Sequence, residues 1–96
     1  MIDFLNECNI SSETIKRLEK ICSKETLYNL YCNEYQIKDI INYFNKIGIN
    51  CIDELLINYT GIFIDTLDDI KGMFENKNID SLVEMINNDY RVIENL

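Results

Sequence analysis

The sequence predicts an all-α protein, a small orthogonal or solenoid-like array of about six to eight short helices. Apolar residues recur at intervals of three and four along most of the chain, as a buried helix face requires. Asn, Ser and Gly residues separate these segments, and the single strand-like run, residues 62–64, has no partner strand. With 96 residues, 47% of them hydrophobic, the chain is expected to form one domain, residues 1–96, around one core.

The clearest element is the stretch from residue 33 to residue 50. Its apolar side chains fall at i, i+3, i+4, i+7 and i+10 and must form a buried face: Ile37, Ile40, Ile41, Phe44 and Ile47. Asn33 is a favourable N-cap, Gln36 can bond back to that cap, and Gly48 can adopt the left-handed conformation that ends a helix. We therefore expect the other helices to be organised around this one.

Three helices are predicted before this central one. The first is short, covers residues 2–8 and stops at Asn9. Ser11 or Ser12 caps the second, which runs to about residue 22. Ser23 starts the third, which runs to residue 32. The second and third helices thus both begin at a serine whose side chain is suited to capping.

The chain after the central helix is predicted to form further short helices. Asn50, with Asp53 three residues later, opens the first of these, and residues 62–64 form a buried connector. Asp65 and Asp68 cap the next helix, in which Gly72 costs about 1 kcal/mol relative to Ala. Residues 76–78 form a turn, a helix covers residues 79–86, and one or two amphipathic turns end the chain.

The net charge of −8 is distributed unevenly. Residues 1–24 hold four basic and four acidic side chains, whereas residues 25–96 hold five basic and thirteen acidic ones. Such a surface repels phosphate backbones and argues against ordinary nucleic-acid binding. No apolar run approaches the roughly 18 residues of a membrane helix, and the N-terminus lacks the pattern of a secretion signal. We therefore expect a cytoplasmic protein without a membrane partner.

The residue types present argue against catalysis. The absence of histidine removes the usual general base, the Ser–His and Cys–His nucleophile systems and most zinc sites. The three glycines are isolated, so there is no phosphate-binding loop. The cysteines lie far apart and are expected to be reduced and mostly buried: Cys8, Cys22, Cys32 and Cys51. The sequence thus predicts no enzyme, no catalytic residue, no cofactor and no metal site.

Two clusters of charged residues are candidate binding sites. The second predicted helix has a basic face, which is either a solvated surface or a contact for phosphate or an acidic partner: Lys16, Arg17, Lys20 and Lys24. An acidic cluster lies further along the chain: Asp65, Asp68 and Asp69. This cluster lacks the alternating ligand pattern of a calcium loop, so it is better explained as the start of a helix.

The chain also contains an internal repeat. Residues 2–10, IDFLNECNI, align without a gap with residues 41–49, INYFNKIGI, and residues 52–58 resemble residues 79–87. These matches indicate a unit of a longer helix, a tight link and a short helix, present about two and a half times.

Over residues 37–93 this order resembles the mitochondrial transcription termination factor type of helical repeat. The resemblance lies in the spacing of eight residues: Phe44, Gly48, Ile49, Leu55, Leu56, Phe63, Met73 and Phe74. The family implies solenoid-like packing and a basic groove that holds nucleic acid.

The tyrosines indicate the type of contact that the sequence favours. Four of the six crowd around the third and fourth predicted helices, and exposed tyrosine is favoured at protein interfaces: Tyr28, Tyr31, Tyr35 and Tyr43. We therefore expect a non-enzymatic module whose acidic, tyrosine-bearing surface binds another protein. Two alternatives stay open: a nucleic-acid contact through the basic helix, or an acidic face, extended by Asp53 and Glu54, that imitates nucleic acid and inhibits a protein that binds it.

Overall fold

The computed structural model describes residues 1–96 and is built entirely from helices and their connections. Six α-helices and three 3-10 helices follow one another in this order: η1 (Asp3–Cys8), α1 (Ser12–Ile21), α2 (Lys24–Cys32), α3 (Glu34–Ile47), α4 (Ile52–Asn58), η2 (Thr60–Ile64), α5 (Leu67–Glu75), α6 (Ile79–Asn88) and η3 (Tyr90–Asn95). The predicted all-α array of short helices is confirmed. The predicted connector, residues 62–64, lies in η2 and buries Phe63 completely.

Helix α3 lies at the centre of the array and contacts η1, α2, η2, α5 and α6. Four of its five predicted core residues have no exposed surface, and Ile47 is half-buried: the four are Ile37, Ile40, Ile41 and Phe44. Full burial of one such side chain stabilises a fold by about 1.5–3 kcal/mol. The apolar face of α3 is therefore the largest contribution that any one helix makes to the core, as its spacing predicts.

An aromatic cluster joins α3 to the second half of the chain. The ring of Phe44 meets the ring of Phe63 edge-on, with centroids 5.6 Å apart, and lies 5.9 Å from the ring of Phe74. Tyr43 adds a further edge contact with Phe74, at 6.2 Å. Edge-to-face pairs at these separations contribute about 0.5–1.5 kcal/mol beyond the burial of their area. The cluster fixes η2 and α5 against α3.

The N-terminal helices pack on the same core from another side. Helix α1 contacts η1 and α4, and α4 leads directly into η2. Both helices turn three residues inward: Thr14, Ile15 and Leu18 from α1, and Ile52, Leu55 and Leu56 from α4. Helix α2 is different, because Leu30 is its only fully buried residue. Most of the surface of α2 is consequently open to contact.

Several predicted helix boundaries are confirmed by their capping bonds. The hydroxyls of Ser11 and Ser23 accept hydrogen bonds from the backbone N–H groups three residues on, at 3.2 and 3.1 Å. Gly48 has φ +99°, and the following N–H, of Ile49, donates to the carbonyl of Phe44 at 2.9 Å. Asn9 ends η1 in the same left-handed conformation, with φ +65°.

The N-cap residue of α3 is Asn33, as predicted, but its side chain makes no capping bond. Only one residue, Asn33, separates α2 from α3, and its side chain donates to the carbonyl of Asn29 at 2.7 Å instead of capping α3. Gln36 does not bond back to Asn33 either. Its amide donates to the carbonyls of Ile64 and Asp65, so it joins the first turn of α3 to the end of η2. The contact of Asn33 is local to the end of α2, whereas the contacts of Gln36 reach residues 28 and 29 positions away, which local spacing does not encode.

Two further starts of helices differ from the prediction. The N-cap of α5 is Thr66, whose hydroxyl accepts from the N–H of Asp69 at 3.2 Å, so Asp65 lies one residue too early to cap. Asp68 and Asp69 occupy the first turn, where negative charge favours the helix dipole. Helix α4 follows Cys51 and has no side-chain capping bond, so Asn50 does not open it.

Replacing Gly72 by Ala is expected to stabilise the protein by about 1 kcal/mol, because Gly72 is exposed inside α5. A Cβ at this position meets no atom within 4 Å. The measurement is urea unfolding followed by circular dichroism. Gly48→Ala is the matched comparison and should destabilise by about 1–2 kcal/mol, since its φ of +99° disfavours any side chain. Equal effects of the two substitutions would contradict these backbone assignments.

Candidate functional site

The basic residues of α1 form an exposed group without ion-pair partners. Lys16, Arg17 and Lys20, together with Glu13, line a cavity of about 220 Å³ on the helix surface. Lys24 is the first residue of α2 and does not line that cavity. The four ion pairs of the structure involve none of the four cations. Their charges are therefore available to an anionic partner.

The predicted acidic cluster lies at the start of α5. Asp65 precedes the cap, Asp68 and Asp69 lie in the first turn, and all three side chains are exposed. None of them pairs with a cation. Across the chain, no group of three or more Asp, Glu, Cys or His side chains is arranged to hold a metal ion. The arrangement is that of a helix start with a solvated negative surface.

Three of the four clustered tyrosines are exposed, two on α2 and one in the first turn of α3, and we call them together the tyrosine face: Tyr28, Tyr31 and Tyr35. Their exposed fractions are 58%, 52% and 82%. The rings of Tyr28 and Tyr31, one turn apart on α2, have centroids separated by 6.4 Å. The neighbouring side chain of Cys32, which is also exposed, raises the pKa of Tyr28 above its usual value.

The fourth tyrosine does not belong to this face. Tyr43 is half-buried and packs its ring against Phe44 and Phe74. Its hydroxyl oxygen is shielded from solvent and has no hydrogen-bond partner. The expected group of four is therefore divided into a surface set of three and one residue at the edge of the core.

The structure also contains two long-range polar contacts, which we call the interlocks. Asp53 accepts hydrogen bonds from the backbone N–H and the hydroxyl of Ser11, at 3.2 and 3.1 Å, and from the hydroxyl of Thr14, at 2.7 Å. The side chain of Asn87 accepts from the N–H of Asn50, at 2.9 Å, and donates to the carbonyl of Gly48. Asp53 is thus occupied inside the fold, which removes it from the proposed acidic contact surface.

The interlocks were missed from the sequence, although the internal repeat carried a signal for them. Ser11 and Asn50 each stand directly after the isoleucine that ends an aligned segment, and each donates its backbone N–H to a side chain of a later helix. The acceptors lie 42 and 37 residues further along the chain. No local capping rule reaches that far, and the repeat relates only the two donors, because Asp53 lies at the start of α4 whereas Asn87 lies near the end of α6.

The cysteines are unpaired and differ in exposure. Cys32 is exposed, and the other three are half-buried. Burial raises the pKa of Cys8, Cys22 and Cys51 above the usual value of a thiol. The prediction of mostly buried thiols is only partly confirmed for these three, which are half-buried. It is wrong for Cys32, because that side of α2 faces solvent.

Comparison with known proteins gives no match to any family model, curated protein or solved structure. The resemblance to mitochondrial transcription termination factor repeats therefore stays a prediction. A separate finding concerns membranes: none of the helices combines the length and the apolar character needed to cross a bilayer.

Substitution of Asp53 by Ala is expected to lower the free energy of unfolding by about 1–3 kcal/mol, because it leaves Ser11 and Thr14 without their acceptor. Glu54→Ala is the control, since Glu54 is the exposed neighbour of Asp53 and forms no ion pair. Urea unfolding of both variants gives the comparison. A loss of similar size in the two variants would show that the first interlock does not stabilise the fold.

Titration with Ellman's reagent at neutral pH should reveal one fast and three slow thiols. Cys32 is expected to react first because it is exposed, whereas burial limits access to the others and raises their pKa, so less thiolate is present. The Cys32→Ser variant should lack the fast phase. Four equal rates, or a fast phase that survives this substitution, would be inconsistent with the structure.

Proposed function

We propose that this protein is a non-enzymatic, all-α helical-repeat module that binds another protein through the tyrosine face. The observation that carries the proposal is the exposure of Tyr28, Tyr31 and Tyr35 on α2 and the first turn of α3. Tyrosine is enriched among the residues that supply most of the binding energy at interfaces. Its ring provides a large apolar contact area, and its hydroxyl provides a hydrogen bond.

The loose packing of α2 supports this choice of surface. The other long helices each bury two or more residues, whereas α2 buries only Leu30 completely. Ile21, just before α2, adds a further exposed apolar side chain, at 54%. A helix with so little of its surface in the core leaves its aromatic side chains free for a partner. The exposed rings of Tyr28 and Tyr31 lie side by side, 6.4 Å apart, and grouped exposed apolar side chains are typical of interaction sites.

The equivalent links support the helical-repeat part of the proposal. Asn9 and Gly48 both have positive φ, and the N–H of the next isoleucine donates to a carbonyl five residues back in each case. Each link is then followed by an interlock to a later helix. Two units that share a turn conformation and a contact to the next unit are what a stacked array requires.

A second candidate function is supported by the unpaired cations of α1. Lys16, Arg17 and Lys20 surround one cavity, and Lys24 lies just beyond. This basic surface is the contact that a nucleic-acid strand would use, with the acidic remainder facing away. The other alternative, an acidic face that imitates nucleic acid, depends on the three exposed carboxylates at the start of α5. Asp53 contributes less to such a face, because its side chain accepts hydrogen bonds from Ser11 and Thr14.

The test of the main proposal compares the wild-type chain with the double variant Tyr28→Ala/Tyr31→Ala. Partners are captured from the native host lysate after nuclease treatment, and the affinity of the purified partner is then measured by calorimetry. We expect the variant to lose at least about 2 kcal/mol of binding free energy, as truncation of central interface tyrosines does. Its unfolding midpoint should stay close to that of the wild type, since both residues are exposed.

Met85→Ala is the control for that experiment, because Met85 is similarly exposed, at 53%, but lies on α6. It should bind as the wild type does. Undiminished binding by the tyrosine variant would contradict the proposal.

The second candidate is tested by fluorescence anisotropy with labelled single-stranded DNA. If α1 is a nucleic-acid contact, affinity should fall steeply with salt, with a slope of about −0.7 per phosphate neutralised. Changing Lys16, Arg17, Lys20 and Lys24 to Gln should abolish binding of the labelled DNA. An affinity that changes neither with salt nor with these substitutions would reject this candidate function. A complete lack of binding at low salt would also reject it.

A further inference from the structure

The groove between α3 and α5 contains a polar cavity of about 300 Å³ that is separate from the tyrosine face. One wall is the face of α3 formed by residues at i, i+3, i+4 and i+7: Asp39, Asn42, Tyr43 and Lys46. The other wall comes from α5 at i, i+4 and i+8: Leu67, Lys71 and Glu75. Both sets follow the period of an α-helix, so the cavity is a product of how the two helices pack.

The charged groups of this cavity are not paired with one another. Two ammonium groups, Lys46 and Lys71, face the same space as two carboxylates, Asp39 and Glu75. No nitrogen–oxygen pair among them lies within 4.0 Å, and none of the four belongs to an ion pair elsewhere. Lys71 is half-buried, with its Nζ atom 5.8 Å from the centroid of the Tyr43 ring. Both signs of charge are thus available to a third molecule.

The hydroxyl of Tyr43 provides a second, independent observation. Its oxygen is shielded from solvent and lacks any hydrogen-bond partner, which is unusual for a buried polar group. Burial, and secondly the negative charge of Glu75, raise the pKa of Tyr43, so the hydroxyl keeps its proton at neutral pH. A bound acceptor that turns the Tyr43 side chain toward the cavity would give this donor the partner it lacks in the free protein.

We propose that this cavity binds a small zwitterion, a molecule with one carboxylate and one ammonium group, such as a free amino acid. The ligand carboxylate pairs with Lys46 and Lys71 and accepts from the Tyr43 hydroxyl. The ligand ammonium pairs with Asp39 and Glu75. A simple anion would face two carboxylates, and a simple cation two lysines, so neither satisfies the whole site. The cavity volume is at the lower end for ligand sites, which restricts the ligand to small molecules.

The test is a titration of the ¹⁵N-labelled protein, followed by NMR, with L-alanine, L-glutamine and L-phenylalanine as probes. At least one probe should give saturable shifts that centre on residues 39–46 and 67–75. Acetate and methylammonium each supply only one of the two charges, and both should bind more weakly. Failure of all three amino acids to saturate would overturn the proposal, and so would acetate binding as tightly as the best of them.

Variants of the cavity make the result specific. Lys71→Met should weaken binding by about tenfold, the loss expected for one charge-assisted hydrogen bond. Lys77→Met removes the same charge from the exposed turn after α5 and should leave affinity unchanged. Tyr43→Phe should weaken binding without lowering the unfolding midpoint, because it removes a hydroxyl that has no partner in the free protein. Equal effects of the two lysine substitutions would exclude this site, whatever partner the tyrosine face binds.

Discussion

The packing of Phe44 against Phe63 and Phe74 is the contact on which the remaining architecture depends. These rings come from α3, η2 and α5, so one cluster fixes α3 against two consecutive elements of the second half of the chain. All three residues are completely buried, and truncation of such a residue typically costs about 3–5 kcal/mol. That loss is a large part of the stability of a small domain. The flanking helices then pack their own apolar faces against the same core.

The interlocks explain how those flanking helices keep their order. Asp53 holds the start of α1 against α4, and Asn87 holds the link after α3 against the end of α6. Each contact provides an acceptor for a backbone N–H group that has no partner within a helix. Apolar faces alone allow helices to slide or rotate, whereas a hydrogen bond to a defined atom fixes one register. The core thus supplies stability, and the interlocks supply its specific arrangement.

The sequence predicted the elements better than it predicted the contacts between them. Ile37 to Phe44 and Gly48 obey local rules of periodicity and helix termination, and the structure agrees with both. Asn33, Gln36 and Asp65 have side chains suited to local capping, but the first closes the preceding helix, the second reaches a distant carbonyl and the third lies outside the cap. The exposure of Cys32 likewise depends on how little of α2 the core covers. The contacts of Gln36 and the exposure of Cys32 depend on tertiary packing, which short-range patterns do not encode. Asn33 and Asp65 instead lose their predicted capping bonds to local alternatives, the bond to the carbonyl of Asn29 and the cap formed by Thr66.

The candidate contacts lie mainly on different elements: the tyrosines on α2 and the first turn of α3, three of the four cations on α1, and the acidic cluster at the start of α5. The proposal that the aromatic surface binds a protein is tested most directly by photo-crosslinking in the native host, with benzoylphenylalanine at position 31 or at position 85. We expect a discrete protein adduct that resists nuclease from position 31 and none from position 85. An adduct that nuclease removes, equal labelling from both positions, or no adduct from position 31 would contradict the account.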